Sequence, residues 1–297
     1  MSERWDVRRA GPEPAPHRVL MIPGGLCSTE FYADIMAEPA LSRVGLVAVT
    51  MPGFGGTTAP EDVSVEHYAR LLARFAADSG CDVVVGHSLG ANVAIEMAAA
   101  GLFMGPLVLL SPTFSRADEA TFLGVMNALG RVPGLGIAGW TLMLKLLPKA
   151  MKRELPAHRA EALAADMAAN DPATCRRIVR RYYEYLDRHP SLVPRLCDTA
   201  VPAWVVRGDH DEIGLTEGER RDLEACPASG GTWKPARTSA WSRCPTPGTP
   251  CWSSGPHRSP TSSWTRSRRR DGGNPPREDG GRPLPGVVVS VDGTLGP

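Results

Sequence analysis

A five-residue turn, Gly86-His87-Ser88-Leu89-Gly90, constrains the fold of this chain more than any other feature. It follows three consecutive valines and precedes a stretch of helical periodicity, which indicates a strand that passes directly into a helix. Such a sharp turn forces its central residue, Ser88, into strained backbone geometry, and the flanking glycines let strand and helix approach closely. The alternative is an ordinary loop with a capping serine. We predict that the Ser88 hydroxyl stands at the carboxyl end of a sheet, above a helix N-terminus that favours developing negative charge.

The chain around this turn alternates short apolar runs with longer amphipathic runs. Because parallel strands need long crossover connections, this alternation predicts an α/β fold with a mostly parallel, doubly wound sheet. The predicted strands are Arg18–Ile22, Val44–Thr50, Asp82–Gly86, Pro106–Leu110 and Ala203–Arg207. The predicted helices that connect them are Thr29–Glu38, Val65–Ser79, Leu89–Ala100 and Glu217–Ala225.

A long segment of helical pattern separates the last two predicted strands. Its length of roughly 90 residues exceeds a simple crossover. We therefore predict an inserted helical cap over residues 114–199, between core segments 1–113 and 200–228. Within the cap, the apolar stretch Ile137–Leu147 indicates either a pocket for a hydrophobic acyl or alcohol group or simple packing on the sheet. The longer apolar run Gly134–Leu147, which Pro148 and Lys149 then break, is too short to cross a bilayer, so we expect a buried or cleft-facing helix.

The turn and two glycine-rich loops resemble the α/β-hydrolase family over about residues 18–225. The first loop, Met21–Leu26, resembles the family's oxyanion loop, although His-Gly is more usual there than the Pro-Gly of this chain. The resemblance implies that the N–H of Gly25, or less favourably that of Leu26, joins the N–H of Leu89 in holding an oxyanion. Simple turn geometry is the alternative for this loop.

The second loop, Met51–Gly56, is similar to the family's Pro-Gly-x-Gly loop, and the resemblance implies that it shapes the pocket. Neither loop has the Gly-x-Gly-x-x-Gly spacing of a dinucleotide site. A serine at the turn also excludes the dehalogenase and epoxide-hydrolase branches, which place aspartate there.

The segment Val205–Asp211 resembles the family's late strand followed by its catalytic acid. Asp211 matches the acid that orients a catalytic histidine and stabilises the imidazolium. Asp209 is expected to cap the turn, and His210 is expected to face solvent.

The catalytic histidine is missing from its expected place. The chain order serine, acid, histidine puts it after Asp211, where the only histidine is His257. Nothing around His257 has the pattern of a strand end or a helix start, so we do not assign it as the base. His87 lies within the turn and is expected to point away from the position of the base. The remaining histidines are expected on surfaces or in the cap: His17, His67, His158 and His189.

The composition changes near the C-terminus. From Gly231 to Pro283 the chain contains no Leu, Ile, Val, Met, Phe or Tyr, so its apolar positions cannot form a packed core. On composition alone, residues 229–297 are predicted to be a low-complexity, irregular or disordered tail.

A frameshift explains this tail differently. We back-translated it with G or C in third positions and shifted the frame by two bases from Thr232 onward. The shifted sequence contains a final strand, a Pro-Asp-Ala-Gly-His turn and an amphipathic closing helix, in the order that the family requires. The histidine codon spans Gly248 and Thr249 and depends on a C that we selected. The apolar pattern arises in any GC-rich Ser/Trp tail, so the order of the turn and helix is the specific part. We therefore hypothesise a frameshift near Cys226–Thr232, in the genome or in the sequencing, with a genuine disordered tail as the alternative.

The net charge, the spacing of the cysteines and the N-terminal residues argue against several classes of function. A net charge of +1 offers no electrostatic case for binding nucleic acid or an anionic membrane. The seven cysteines form no Cys-x-x-Cys pair and suggest neither a metal site nor a disulfide framework, and the charged N-terminus is unlike a secretory signal. The resemblance implies a serine hydrolase without metal or organic cofactor, acting on an ester or related acyl bond of a hydrophobic small molecule. We expect it to be cytoplasmic, and the missing histidine predicts that its activity is impaired in this chain. Its oligomeric state stays open. The alternative is a non-catalytic protein of the same fold that binds a small molecule under its cap.

Overall fold

A computed structural model describes residues 5–119, 121–132, 135–152, 155, 157–199, 201–207 and 215–226. The predicted acid Asp211, its neighbours Asp209 and His210, His257 and the predicted tail 229–297 lie outside these residues.

The described residues form a six-stranded sheet in the order β1-β3-β2-β4-β5-β6. The strands are β1 (Val7–Ala10), β2 (Arg18–Ile22), β3 (Gly45–Val49), β4 (Val83–His87), β5 (Leu107–Leu110) and β6 (Ala203–Val206). The five predicted strands are β2 to β6, and they pair in parallel. The predicted mostly parallel α/β sheet is therefore confirmed.

The edge strand β1 was not predicted. It pairs antiparallel with β3, with Val7 opposite Val49. Two exposed arginines, Arg8 and Arg9, occupy half of its four residues, so it lacks the apolar run that marks the other strands.

Nine helices lie in the described part of the chain. They are α1 (Ala33–Met36), α2 (Val65–Asp78), α3 (Leu89–Ala99), α4 (Thr121–Leu129), α5 (Leu135–Met151), α6 (Ala160–Ala168), α7 (Pro172–Arg188), α8 (Val193–Cys197) and α9 (Glu217–Glu224). The single helix predicted over Thr29–Glu38 is wrong. A 3-10 turn over Thr29–Tyr32, capped by the Ser28 side chain, passes into the one-turn helix α1, and Pro39 then starts another 3-10 turn.

Helices α4 to α8 lie between β5 and β6 and are called here the helical insertion. The insertion is attached to α3, the helix that follows Ser88, by a buried polar cluster. Glu96 of α3 accepts hydrogen bonds from the Tyr185 hydroxyl at 2.9 Å and from the Arg195 guanidinium at 2.6 Å. Because Glu96 is 5% exposed, removing its cationic partner would leave an unpaired buried charge, at a cost of about 3–5 kcal/mol.

The apolar run ends before Pro148, but the helix does not, because α5 continues through this residue to Met151. A proline removes one backbone donor without preventing the next turn, and the Lys152 N–H donates to the Pro148 carbonyl at 3.1 Å. None of the described helices, α5 included, combines the length and the apolar character needed to span a membrane.

A disulfide joins Cys197, the last residue of α8, to Cys226, just beyond α9. The Cα atoms are 5.3 Å apart, although the residues are 29 positions apart in sequence. Cysteine spacing alone did not suggest this pairing. A cytoplasmic location stays a prediction, and a stable disulfide is unusual in that compartment.

Candidate active site

Ser88 occupies the junction between β4 and α3 with a φ of 49° and a ψ of −120°. A positive φ costs a non-glycine residue about 1–3 kcal/mol and persists only where surrounding bonds hold it. The Ser88 N–H donates to the Leu110 carbonyl at 2.9 Å, and the Ser88 carbonyl accepts from Ala91 at 2.8 Å and from Asn92 at 3.1 Å. The strained strand-turn-helix geometry expected from the sequence is therefore present.

Both glycines of the turn lie at positions where no side chain fits. A Cβ atom added to Gly86 would lie 2.4 Å from the Gly90 carbonyl oxygen. One added to Gly90 would lie 2.4 Å from the Ile22 carbonyl oxygen. Helix α3 therefore packs directly against the ends of β4 and β2, and this close approach places Ser88 at the carboxyl edge of the sheet.

The predicted oxyanion loop lies beside Ser88. A Cβ atom on Gly24 would be 3.3 Å from the Ser88 Cβ, and one on Gly25 would be 3.8 Å from the Leu89 Cδ2. Leu26 follows with a φ of 66°. The structure thus brings Ser88, Leu89 and the Gly25 loop together, whereas Asp211 lies outside the described residues.

The helical insertion holds this loop through a residue that the sequence analysis missed. The Asn170 amide nitrogen donates to the Leu26 carbonyl at 3.0 Å, and its oxygen accepts from the Gly55 N–H at 3.1 Å. Asn170 therefore joins the two glycine loops that the sequence singled out. Asp166 adds a second link, because its carboxylate accepts from both the N–H and the hydroxyl of Ser28. These contacts span more than 100 residues, and no local pattern indicates them.

A thiol lies in the same loop but is not an alternative nucleophile. Burial, followed by the nearby Asp166 carboxylate, raises the pKa of Cys27 to about 12. Because the thiolate is the reactive form, this raised pKa disfavours Cys27 as a nucleophile near neutral pH.

The five described histidines all contact other groups. His17 bonds Asp82 at 2.6 Å, His158 lies 3.3 Å from Asp34, His67 lies 3.8 Å from Asp62, His189 packs on Tyr185 and His87 stacks on Phe31. Within the described ranges, no hydrogen bond joins a histidine to the Ser88 hydroxyl.

Two buried carboxylates, Asp118 and Glu219, lie close enough for the charge of one to act on the other, which the sequence does not indicate. Each is the last residue of a capping box, Ser115-x-x-Asp118 and Thr216-x-x-Glu219, and this signal is visible in the sequence. Their proximity is not visible, because the boxes lie about 100 residues apart. Burial and the negative charge of Glu219 raise the pKa of Asp118 to about 6.

We expect Asp118→Asn to stabilise the protein by about 1–2 kcal/mol near pH 8. The folded state binds the Asp118 proton more tightly than the unfolded state, whose pKa is near 3.8. Ionising Asp118 therefore costs the folded state more free energy than the unfolded state. This cost is absent below about pH 4, grows as the pH rises to about 6 and is complete above it. An amide can donate to Glu219 and still accept the N–H groups of Phe114 and Ser115.

Urea denaturation from about pH 4 to pH 8 measures this effect, and the variant should show the flatter pH dependence. Asp222→Asn, which removes an exposed carboxylate from α9, is the control and should change stability by less than about 0.5 kcal/mol. Equal destabilisation of Asp118→Asn at every pH would contradict the prediction.

The mostly parallel sheet places a strained serine at its carboxyl edge, and a glycine loop lies beside that serine. The helical insertion is attached to the same loops. Together these features define an α/β protein of hydrolase type. Residues 19–248 match the model of the Alpha/beta hydrolase family, so this chain belongs to that family. No curated protein matches the sequence.

Solved structures of hydrolase folds are similar over about three quarters of the chain. A mutant of the N-acyl homoserine lactonase AidH, complexed with N-hexanoyl homoserine, is 20% identical with a TM-score of 0.54, covering 75% of this chain and 79% of its own. The enol-lactonase from Burkholderia xenovorans LB400 is 17% identical with a TM-score of 0.55, over 75% and 84%. MenH from S. aureus is 19% identical with a TM-score of 0.56, over 76% and 86%. At these identities, the likeness concerns the fold.

Proposed function

We propose that this chain descends from a serine hydrolase that cleaves an ester or related acyl bond of a hydrophobic small molecule. The observation that carries the proposal is the strained backbone of Ser88 beside the Gly25 loop. Ser88 attacks the carbonyl carbon, a histidine takes the hydroxyl proton, and Asp211 orients that histidine. The N–H groups of Gly25 and Leu89 hold the oxyanion, and when the carbonyl re-forms, the C–O bond to the alcohol breaks and the histidine gives its proton to the leaving alcohol. Water, deprotonated by the same histidine, then attacks the acyl-serine ester and releases the acid, and the proton returns to Ser88.

The solved relatives favour a carbonyl substrate. Two of them are named for acting on lactones, which are cyclic esters. In this chain, Leu89 and Phe54 lie near Gly25 and supply apolar surface beside the proposed oxyanion site. We further propose that the helical insertion acts as the cap, since Asn170 and Asp166 attach it to the loops around Ser88.

We infer that, in its present frame, the chain lacks the histidine that this mechanism requires, because the only histidine after Asp211 is His257, whose neighbours do not have the pattern of a strand end or a helix start. We infer that the coding sequence is shifted between Cys226 and Thr232. Resequencing the DNA across codons 224–260 tests this directly. One or two bases missing or extra would restore an ordinary serine hydrolase, whereas confirmation of the present frame would leave a chain without a base.

A non-catalytic binding protein is the second candidate, because the described histidines all contact groups other than Ser88. A fluorophosphonate probe separates the two. Labelling of Ser88, located by peptide mass spectrometry, indicates an activated nucleophile. Tight binding of a hydrophobic ester without labelling, in both the present and the restored frame, would favour the binding protein.

A further inference from the structure

Helices α4 and α5 expose five large apolar side chains, and the connection between them exposes a sixth, Val132; no described part of the chain covers them. Between two fifths and three fifths of each is exposed, and together they define what we call the α4–α5 face: Phe122, Val125, Val132, Ile137, Leu142 and Leu146. Of the apolar stretch Ile137–Leu147, only one side packs inward, through Trp140, Met143 and Leu144. Neither a substrate pocket nor packing on the sheet accounts for the side that faces out.

The segment that carries this face has charged side chains of one sign. Residues 121–152 contain four cations, Arg131, Lys145, Lys149 and Lys152, and no Asp or Glu. Leu142, Lys145, Leu146 and Lys149 follow the i, i+3, i+4, i+7 spacing of one helix side, so apolar and cationic side chains alternate there. Among the described residues, no carboxylate pairs with Lys145 or Lys149.

A groove beside the face is lined by three of the same cations. It lies between α5 and α6, has a volume of about 660 Å³, and is lined by Lys145, Lys149 and Lys152 together with alanines of α6. Lys152 bonds Glu161 at 2.6 Å, which leaves the other two ammonium groups to attract an external anion.

We propose that the α4–α5 face docks the protein on an anionic phospholipid bilayer. Apolar side chains enter the boundary between headgroups and acyl chains, while the lysines contact anionic headgroups. The net charge of +1 gives no indication of this cationic surface, because acidic residues elsewhere in the chain offset its cations.

Self-association through the same face is disfavoured on charge. In a two-fold dimer the surface would meet its own copy, so Lys145 and Lys149 would approach the same lysines with no acid of residues 121–152 to pair with. An anionic bilayer is complementary to both the apolar and the cationic side chains.

Co-sedimentation with vesicles tests the proposal. The full chain should bind vesicles of phosphatidylglycerol mixed with phosphatidylcholine, bind pure phosphatidylcholine weakly, and dissociate as salt is raised. Lys145→Gln combined with Lys149→Gln should lower the partition coefficient about 30-fold, from about 1 kcal/mol per lysine. Leu142→Ser combined with Leu146→Ser should lower it about tenfold or more.

Leu102→Ser combined with Met104→Ser is the matched control, because these exposed apolar residues lie in the loop between α3 and β5. It should bind like the unaltered chain. Equal binding by all variants, or absence of binding to anionic vesicles, would overturn the proposal. So would a dimer in analytical ultracentrifugation that only the Leu142→Ser/Leu146→Ser variant abolishes. The readout needs no catalysis, and Ser88→Ala should bind equally, so its outcome is separate from that of the proposed hydrolase activity.

Discussion

Restoring the downstream reading frame should raise kcat/KM for short p-nitrophenyl esters by at least about 10³-fold. The restored turn supplies the histidine that takes the Ser88 proton, and without it only the oxyanion site and substrate binding accelerate the reaction. Matched preparations of the two chains, assayed by release of p-nitrophenol, measure the difference.

A third chain separates the base from the rest of the restored segment. It carries the restored frame with alanine in place of the histidine of the Pro-Asp-Ala-Gly-His turn. This chain should unfold at the same urea concentration as the restored chain and lose its added activity. If the present chain already hydrolyses these esters at ordinary enzymatic rates, and Ser88→Ala abolishes that activity, the inference of a missing base is wrong.

In the restored chain, Ser88→Ala should lower kcat/KM by at least about 10⁴-fold, since removal of a serine nucleophile leaves only binding and oxyanion stabilisation. In the present chain, the same change should have little effect, because a serine without a base contributes little to the rate. Steady-state kinetics on both backgrounds tests this dependence.

Ser111 offers a matched control for this substitution. It ends the neighbouring strand with a φ of 48°, close to the 49° of Ser88, and its N–H donates to the Val206 carbonyl at 2.8 Å. Ser111→Ala therefore keeps a Cβ atom at a similarly strained backbone position and removes a hydroxyl that is not the proposed nucleophile. It should keep activity within about tenfold. A loss as large as that of Ser88→Ala would show that removing either hydroxyl at this sheet edge impairs the enzyme, and that the effect is not specific to the nucleophile.

Sequence and structure agree most closely where the signals are local. Strands β2 to β6 were predictable because buried parallel strands need apolar runs bounded by turn residues. The Ser88 turn was predictable because only glycine fits at Gly86 and Gly90, where added Cβ atoms would lie 2.4 Å from carbonyl oxygens. Strand β1 was missed because two of its four residues are exposed arginines.

The candidate site shows the same division. The sequence places Ser88, Leu89 and Gly25 in two recognisable loops, and the roles of these residues and of Asp211 remain predictions. The sequence does not indicate that Asn170 joins the two glycine loops, because that contact depends on how the helical insertion packs.

The sequence by itself determined the α/β class, the strand-turn-helix at Ser88 and the compositional change after Cys226, since each follows from periodicity, glycine sterics or residue content within a short window. Only the tertiary structure decided which side of α5 is exposed, which acids pair and which helix residues hold the glycine loops. These outcomes depend on contacts between segments far apart in the chain, and a one-dimensional pattern carries no information on which segments meet.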